Sequence, residues 1–365
     1  MKAFVAIDSF KGCISSFEAG GAARDALLEC GLTDSDIRLF PVSDGGEGFC
    51  SVVSCYLKNA SSRSVWVHGP SGDMIEASYL LSEEKTAYLE SASACGYTLV
   101  PDSMRTPRRT SSFGLGEMMA DALAQGAGRI VVGLGGSATC DGGVGMLQAL
   151  GCRFFSGGEL LPDGAPAMFM PLTRMDKSGL KTAGCSFEGW ADTLAAFTGE
   201  SGAVKMYGRQ KGLLTEEMDE AERWMASLAQ LYGLDEGSEA AGAAGGLGGA
   251  LKAVLGAGMY SGAEMICSLS GLAGEILACG GEKPLLITGE GRYDSQTLTG
   301  KLPFVVAQNA PGARKICLAG QVAADLYGPF DQVLQITPEG MPLDTAMRKD
   351  VAVRNLMNSI KSILI

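Results

Sequence analysis

Leu286-Ile-Thr-Gly-Glu-Gly-Arg-Tyr-Asp-Ser-Gln-Thr-Leu-Thr-Gly-Lys-Leu-Pro303 is the stretch on which the reading of this chain turns. It sets an acid pair, two cations and three glycines directly behind the short apolar run Pro284-Leu-Leu-Ile287. That run reads as a β-strand. The Gly-Glu-Gly after it reads as a sharp turn at the strand's C-terminal end, where ligands gather in open α/β sheets. Glu290, Arg292, Asp294, Gln296 and Lys301 follow one another closely enough to hold a metal ion and anionic oxygens together.

Working outward, the same βα rhythm appears at the N-terminus. Met1 to Ile7 reads as a strand, Asp8-Ser-Phe-Lys-Gly12 as its loop, and a helix runs from Ser15 or Ser16 to Cys30 with Glu18 in the first turn. It repeats at once: strand Ile37 to Val42, loop Ser43-Asp-Gly-Gly-Glu-Gly48, helix Phe49 to Leu57. From Ser64 the texture changes to hairpin-like strands at Val65–Val67, Met74–Leu81 and Thr86–Glu90. Then come a helix near Ser112 to Gln125, a strand Arg129 to Val132, the loop Gly133 to Gly143, and a helix to Leu150.

A β-like run near Cys185 to Asp192, a Gly-rich loop from Thr198 to Gly212 and an amphipathic helix from Thr215 to about Tyr232 follow. Glu239 to Ala257 is Gly/Ala-rich, read as a helix packed very close to backbone or as a flexible segment. Strands return at 285–287, 314–318 and 332–336, with a last helix from about Leu343. Two strands from the start and three from the end make a five-stranded parallel sheet. The fold class is therefore α/β, with a flavodoxin-like domain formed by both termini (1–63 plus 284–365) and a second α/β domain inserted at 64–283. Hinges are expected near 62–70 and 280–285, with a ligand cleft between the domains.

Bulk properties narrow the function. With 365 residues, 46% hydrophobic and 19% charged, the chain has ordinary globular composition. A net charge of −12 disfavours nucleic acid, whose phosphates it would repel. No run approaches ~20 uninterrupted apolar residues, so neither membrane spanning nor export is expected. Eleven cysteines, an odd number without a C-x-x-C pair, read as scattered thiols in a reducing, cytoplasmic setting. The single histidine, His68, excludes the H-E-x-x-H zinc motif and the His-Arg-Asp loop of protein kinases; at the end of Val65-Trp-Val-His it reads as structural.

The loop Gly133-x-Gly-Gly-Ser-x-Thr has Ala138 where a strict dinucleotide fingerprint needs a third glycine. Its backbone N–H groups at Gly135 and Gly136, with the hydroxyls of Ser137 and Thr139, suit an anion. There is no G-x-x-x-x-G-K-[ST] motif. Asp8, Asp44, Asp141 and Asp294 each lie in or beside a loop directly after an expected strand. Phosphoryl transfer needs a magnesium ion on carboxylates, cations on phosphates and a carboxylate placed to receive the acceptor's proton. All of these parts are present.

Six blocks carry a family resemblance: Asp8-Ser-Phe-Lys-Gly12, Ser43-Asp-Gly-Gly-Glu-Gly48, Gly135-Gly-Ser-Ala-Thr-x-Asp-Gly-Gly-x-Gly-Met146, Gly208-x-Gln-Lys-Gly212, Ala243-Ala-Gly-Gly-Leu247 and Thr288-Gly-Glu-Gly-Arg-x-Asp-Ser-Gln-Thr-Leu-x-Gly-Lys301. In this order they resemble the bacterial type 1 glycerate kinases across almost the whole chain. The resemblance implies phosphorylation of D-glycerate to phosphoglycerate from ATP with Mg2+, on a fold that pairs a flavodoxin-like domain with a second α/β domain; a homodimer is left open.

Asp44 is the candidate base and Asp192 the runner-up, with Arg292 and Lys301 completing the catalytic set. Ser9, Lys11, Gly45, Gly46, Glu47, Gly135, Gly136, Ser137, Thr139 and Gln296 are expected at substrate or phosphate, and Asp141, Glu290 and Asp294 at the metal. One block departs: the family's C-D-V-x-N-P-L-x-G is here Ala191-Asp-Thr-Leu-Ala-Ala-Phe-Thr-Gly199, with Ala195-Ala196 for Asn-Pro. That exchange keeps open a catalytically idle sensor of nucleotide or hydroxy acid, or a kinase for a related hydroxy acid. An NAD-type oxidoreductase would need an acid about twenty residues past the glycines, where Phe154-Phe155 stand.

Overall fold

A computed structural model describes residues 1–182, 184–235, 237–280, 283–323 and 328–364. The chain opens with β1 (Ala3–Ile7) and β2 (Ile37–Leu39). It continues through β3 (Ser61–His68), β4 (Met74–Leu81), β5 (Thr86–Glu90), β6 (Arg129–Leu134), β7 (Arg153–Ser156), β8 (Glu159–Leu160), β9 (Leu172–Asp176), β10 (Ser186–Ala191) and β11 (Gly258–Ser261). It ends with β12 (Leu285–Tyr293), β13 (Arg314–Val322) and β14 (Gln332–Gln335). Two compact units result, Met1–Asp44 with Gly262–Ile365, and Gly45–Ser261. The changes of sequence texture near 63/64 and 283/284 lie about 20 residues further along the chain than these limits; residues 281 and 282 of the expected hinge lie outside the described residues.

In the terminal unit all five strands are parallel, in the order β14-β13-β12-β1-β2. Ser15 caps the helix Ser16–Glu29 through the expected capping box with Glu18. That helix and the last one, Lys349–Leu364, cover one sheet face, where Ala23, Leu27, Leu356 and Ile360 bury Val5, Ile7, Ile287 and Ile316. Cys317 and Ala319 meet Ala307, Tyr293 and Phe330 in a separate cluster.

One expectation is corrected here. The strand does not stop at Ile287 and Gly-Glu-Gly is not a turn: β12 runs on to Tyr293. Gly289 pairs with Leu318 on β13, and a Cβ at Gly289 would run into the Leu318 carbonyl oxygen. The glycine allows close strand approach, and the unbroken strand puts Thr288, Glu290 and Arg292 on one face.

The second unit holds a six-stranded sheet in the order β11-β10-β6-β5-β4-β3, parallel from β11 to β5 and antiparallel through β4 and β3. His68 Nδ1 lies 2.9 Å from Glu117 Oε1, and the His68 N–H donates to Glu117 Oε2 at 2.7 Å, tying the end of β3 to the helix Phe113–Ala124. A small antiparallel sheet, β8-β7-β9, was not foreseen. Its signal was in the sequence: Gly157-Gly158, both at positive φ, is a two-residue hairpin turn between Ser156 and Glu159.

The Gly/Ala-rich segment is the closely packed helix Ala243–Val254, broken at Ala244, Gly245 and Gly246 by left-handed residues. A Cβ at Gly248 would strike the Ala240 carbonyl, and one at Gly249 the Phe197 ring. All eleven cysteines are free thiols. No helix among the described residues is long and apolar enough to cross a membrane.

Candidate active site

In the terminal unit, the extended β12 delivers Glu290 and the turn after it delivers Asp294 and Lys301. Lys301 Nζ lies 4.0 Å from Glu290 Oε2 and 3.8 Å from Asp294 Oδ1, so two carboxylates converge on one ammonium. Thr297 Oγ donates to Glu290 Oε1 at 2.6 Å and accepts from the Asp294 N–H at 3.1 Å. The Gln296 N–H donates to Asp294 Oδ1 at 3.0 Å while its side chain stays exposed. Arg292 is exposed, with Nε 3.5 Å from Asp294 Oδ2. Burial pushes Glu290 up to about 6, a rise opposed by the Thr297 hydrogen bond and by Lys301 and Lys11. Lys301 stands at the N-cap position of the helix Leu302–Gln308.

Beside this cluster on the strand ends, the Lys11 ammonium pairs with Asp44 Oδ2 at 2.8 Å. Asp44 is buried and Lys11 largely exposed. A serine sets up this geometry: Ser16 Oγ donates to the Ile7 carbonyl at 2.6 Å and accepts from the Val42 N–H at 3.1 Å, pinning the chain just before Ser43-Asp44 to the end of β1. Asp8 is buried, and its Oδ1 accepts from the Ser9 N–H at 2.7 Å.

The second unit brings two expected loops into backbone contact. A Cβ at Gly135 would lie 2.5 Å from Gly46 Cα, one at Gly133 would lie 2.7 Å from the Gly45 carbonyl oxygen, and one at Gly45 would lie 2.6 Å from the Trp190 carbonyl oxygen. Gly45 also stands at φ +97°, so only glycine fits this junction. Part of the expected anion cradle is already used: Gly135 N–H donates to Ser91 Oγ at 3.3 Å and Ala138 N–H to the Cys95 carbonyl at 2.7 Å. Gly136, at φ +63°, is exposed, whereas Ser137 and Thr139 are buried. Glu47 is exposed and Asp192 half-buried just past the end of β10.

Asp141, expected at the metal, is held by four donors. Its Oδ2 accepts from Ser112 N–H and Ser112 Oγ, both at 2.8 Å, and from Gly145 N–H at 3.2 Å, while Oδ1 accepts from Gly143 N–H at 3.1 Å. With four donors on a fully buried carboxylate, it ties the Gly-rich loop to the start of the helix Phe113–Ala124. Among the described residues no three His, Cys, Asp or Glu side chains cluster as a metal cage.

Two residues escaped sequence reasoning. Glu90, at the end of β5, accepts from the N–H groups of Gly48 (3.1 Å) and Cys50 (3.3 Å) and so fixes the loop before the helix Phe49–Tyr56; burial holds its carboxyl above the ordinary range. Lys211 is buried and touches the Gly-rich loop. The available signal is Gly208-x-Gln-Lys-Gly212, which sets a cation between glycines.

A parallel sheet whose strand ends gather carboxylates around an ammonium has parts that phosphoryl transfer uses. The comparisons specify the family. The chain matches the Glycerate kinase family over residues 3–364. It is 37% identical to glycerate 2-kinase of Escherichia coli K12, covering 95% of this chain and 93% of that protein, and 35% identical to glycerate kinase of Bacillus subtilis 168, covering 95% and 93%. A solved structure from Salmonella typhimurium LT2, provisionally designated glycerate kinase 2, superposes with a TM-score of 0.79 at 33% identity, covering 100% of this chain and 97% of that one. The chain belongs to the glycerate kinase family, and with it to the kinases among the transferases.

Proposed function

We propose that the protein transfers the γ-phosphoryl group of ATP to a hydroxyl of D-glycerate, giving phosphoglycerate. The observation that carries this reading is the convergence of Glu290, Asp294 and Lys301 within 4.0 Å. A magnesium ion asks for one or two carboxylates and completes its shell with substrate phosphates and water, so this pair fits it without a larger cage. Glu290 favours the same reading: a carboxyl raised to about 6 by burial is relieved by a cation, and Thr288 Oγ1, two residues earlier on the same face of β12, is buried without a partner. Glu290 and Asp294 would hold the ion, which supplies charge neutralisation for the phosphates and orients them for transfer.

The protein's own part is positioning and charge. Lys301 and Arg292 meet negative charge on the transferred group. Lys11, long and mostly exposed, holds Asp44 and has the reach to turn to an anionic oxygen. Asp44 takes the acceptor's proton in this scheme, with Asp192 as the alternative base. The sheet order β2-β1-β12-β13-β14, which is 2-1-3-4-5 within the terminal unit, supports reading that unit as flavodoxin-like, with ligands at the carboxyl ends of its strands. A coupled assay of ADP release with glycerate, tartronate and sugar acids tests the proposal. Magnesium-dependent turnover with glycerate is expected; none with any of these acids would overturn it.

A further inference from the structure

Lys211 has no part in the scheme above, yet it is a buried cation of the second unit. It is 5% exposed, and its Nζ donates to Ser137 Oγ at 2.8 Å and to the Thr139 carbonyl at 2.8 Å. No carboxylate pairs with it among the described residues; Asp141 acts on it only at longer range, its own oxygens being taken by four other donors. Burial pushes its ammonium down to about 8. A buried ammonium held only by neutral acceptors is costly to keep charged, and an anion nearby would offset that cost.

The direction of the hydrogen bonds points the same way. An ammonium has three N–H groups and no lone pair, so Ser137 Oγ accepts from it. The Ser137 proton must then point to another acceptor, and none is found among the described residues. Two residues on, Thr139 Oγ1 is buried and has no partner. The loop is also shaped around the lysine: a Cβ at Gly245 would lie 3.0 Å from Nζ. A donor chain running from ammonium to hydroxyl, with a second idle hydroxyl beside it, lacks one component, an anionic oxygen.

We infer that Lys211 is a positioning residue for a substrate anion: from the interior side of the Gly135–Thr139 loop it fixes Ser137 with its hydroxyl proton turned to an incoming oxygen and supplies the charge that holds it. The identity of the anion, a phosphate of ATP or the carboxylate of glycerate, rests on the kinase reading; the donor chain does not.

Calorimetric Kd values for ATP and for D-glycerate, measured separately on wild type, Ser137→Ala, Lys211→Met and the double variant, test it. For the ligand whose anion the loop takes, each single variant should weaken binding on the order of 10- to 100-fold, as for loss of a hydrogen bond to a charged group. The double variant should bind no more weakly than the worse single one, because losing Lys211 already releases the Ser137 hydroxyl that the second change removes. Unchanged Kd values for Ser137→Ala with both ligands, or additive losses, would overturn the inference. A merely structural lysine would lower Tm and leave the Kd of the folded protein unmoved. Where Lys211→Met does not fold, Ser137→Ala decides alone, since it removes one oxygen and no packing. Wild type that binds ATP and yields no phosphorylated glycerate would fail the kinase reading and leave this comparison intact.

Discussion

Replacing Glu290 by glutamine should stabilise the protein while it disables the site. Burial raises the Glu290 carboxyl from 4.5 to about 6, and that gap corresponds to about 2 kcal/mol. The sign follows from proton binding. Between the two values the folded state holds a proton that the unfolded state has released, so stability falls as pH rises through that window. Below it the carboxyl is neutral in both states and costs nothing. Above about 6 it is ionised in both, and the folded protein carries the full penalty. Glutamine keeps an acceptor for Thr297 Oγ and never ionises. Urea unfolding of Glu290→Gln and wild type in chelator, at pH values from about 4 to 8, should therefore show no difference at the acid end and a gain approaching about 2 kcal/mol for the variant at pH 7 and above. A variant equally or less stable than wild type at pH 7 would refute the argument, because it would mean that Lys301 and Thr297 repay the burial of the charge completely.

Lys301→Met should lower kcat and kcat/KM together by about 100-fold while urea unfolding shifts by no more than about 1 kcal/mol. Gly289→Ala pushes a methyl group into the Leu318 carbonyl and should cost about 1–3 kcal/mol in the same measurement. Asp141→Ala strands four buried donors and should cost at least about 3 kcal/mol; a fall in magnesium affinity without that loss of stability would restore Asp141 as a metal ligand. Ala196→Pro removes the N–H that donates to the Ser201 carbonyl at 3.0 Å and should cost about 1–3 kcal/mol.

What the sequence revealed follows from the range of each signal. The helix at Ser16 was legible because its capping box is local. The parallel sheet was legible because β1, most of β12 and the Ile316–Ala319 centre of β13 are buried and read as apolar runs. The length of β12 was not legible, because Gly-Glu-Gly is locally a turn sequence and only the partner strand reveals that Gly289 serves close approach. Glu90 and Lys211 were missed for a related reason. Each does its work on backbone or hydroxyl groups 40 or more residues away, and a single buried charge leaves no periodic trace. Asp141 shows the same limit: its place after a strand suggests a ligand, while two of the four donors that hold it come from Ser112, 29 positions earlier.

The exchange of Asn-Pro for Ala195-Ala196 can be resolved further. A proline stiffens a loop by fixing φ, so its absence suggests a looser segment. Yet both alanines are buried, at 6% and 5% exposure, and the backbone around them is held on every side. Ala195 N–H donates to Thr193 Oγ1 at 3.1 Å, Gly242 N–H to the Ala195 carbonyl at 2.9 Å, and Ala203 N–H to the Ala196 carbonyl at 3.0 Å. Gly242 has no room for a Cβ against the Ala196 carbonyl, and Thr193 Oγ1 lies 2.8 Å from the Tyr207 hydroxyl. The rigidity that proline would bring is supplied here by hydrogen bonds and by a glycine contact. Against the family pattern the resemblance describes, this chain lacks the amide of an asparagine, a donor and acceptor, in a segment that hydrogen bonds hold, so a change in substrate choice is expected to follow that polar group.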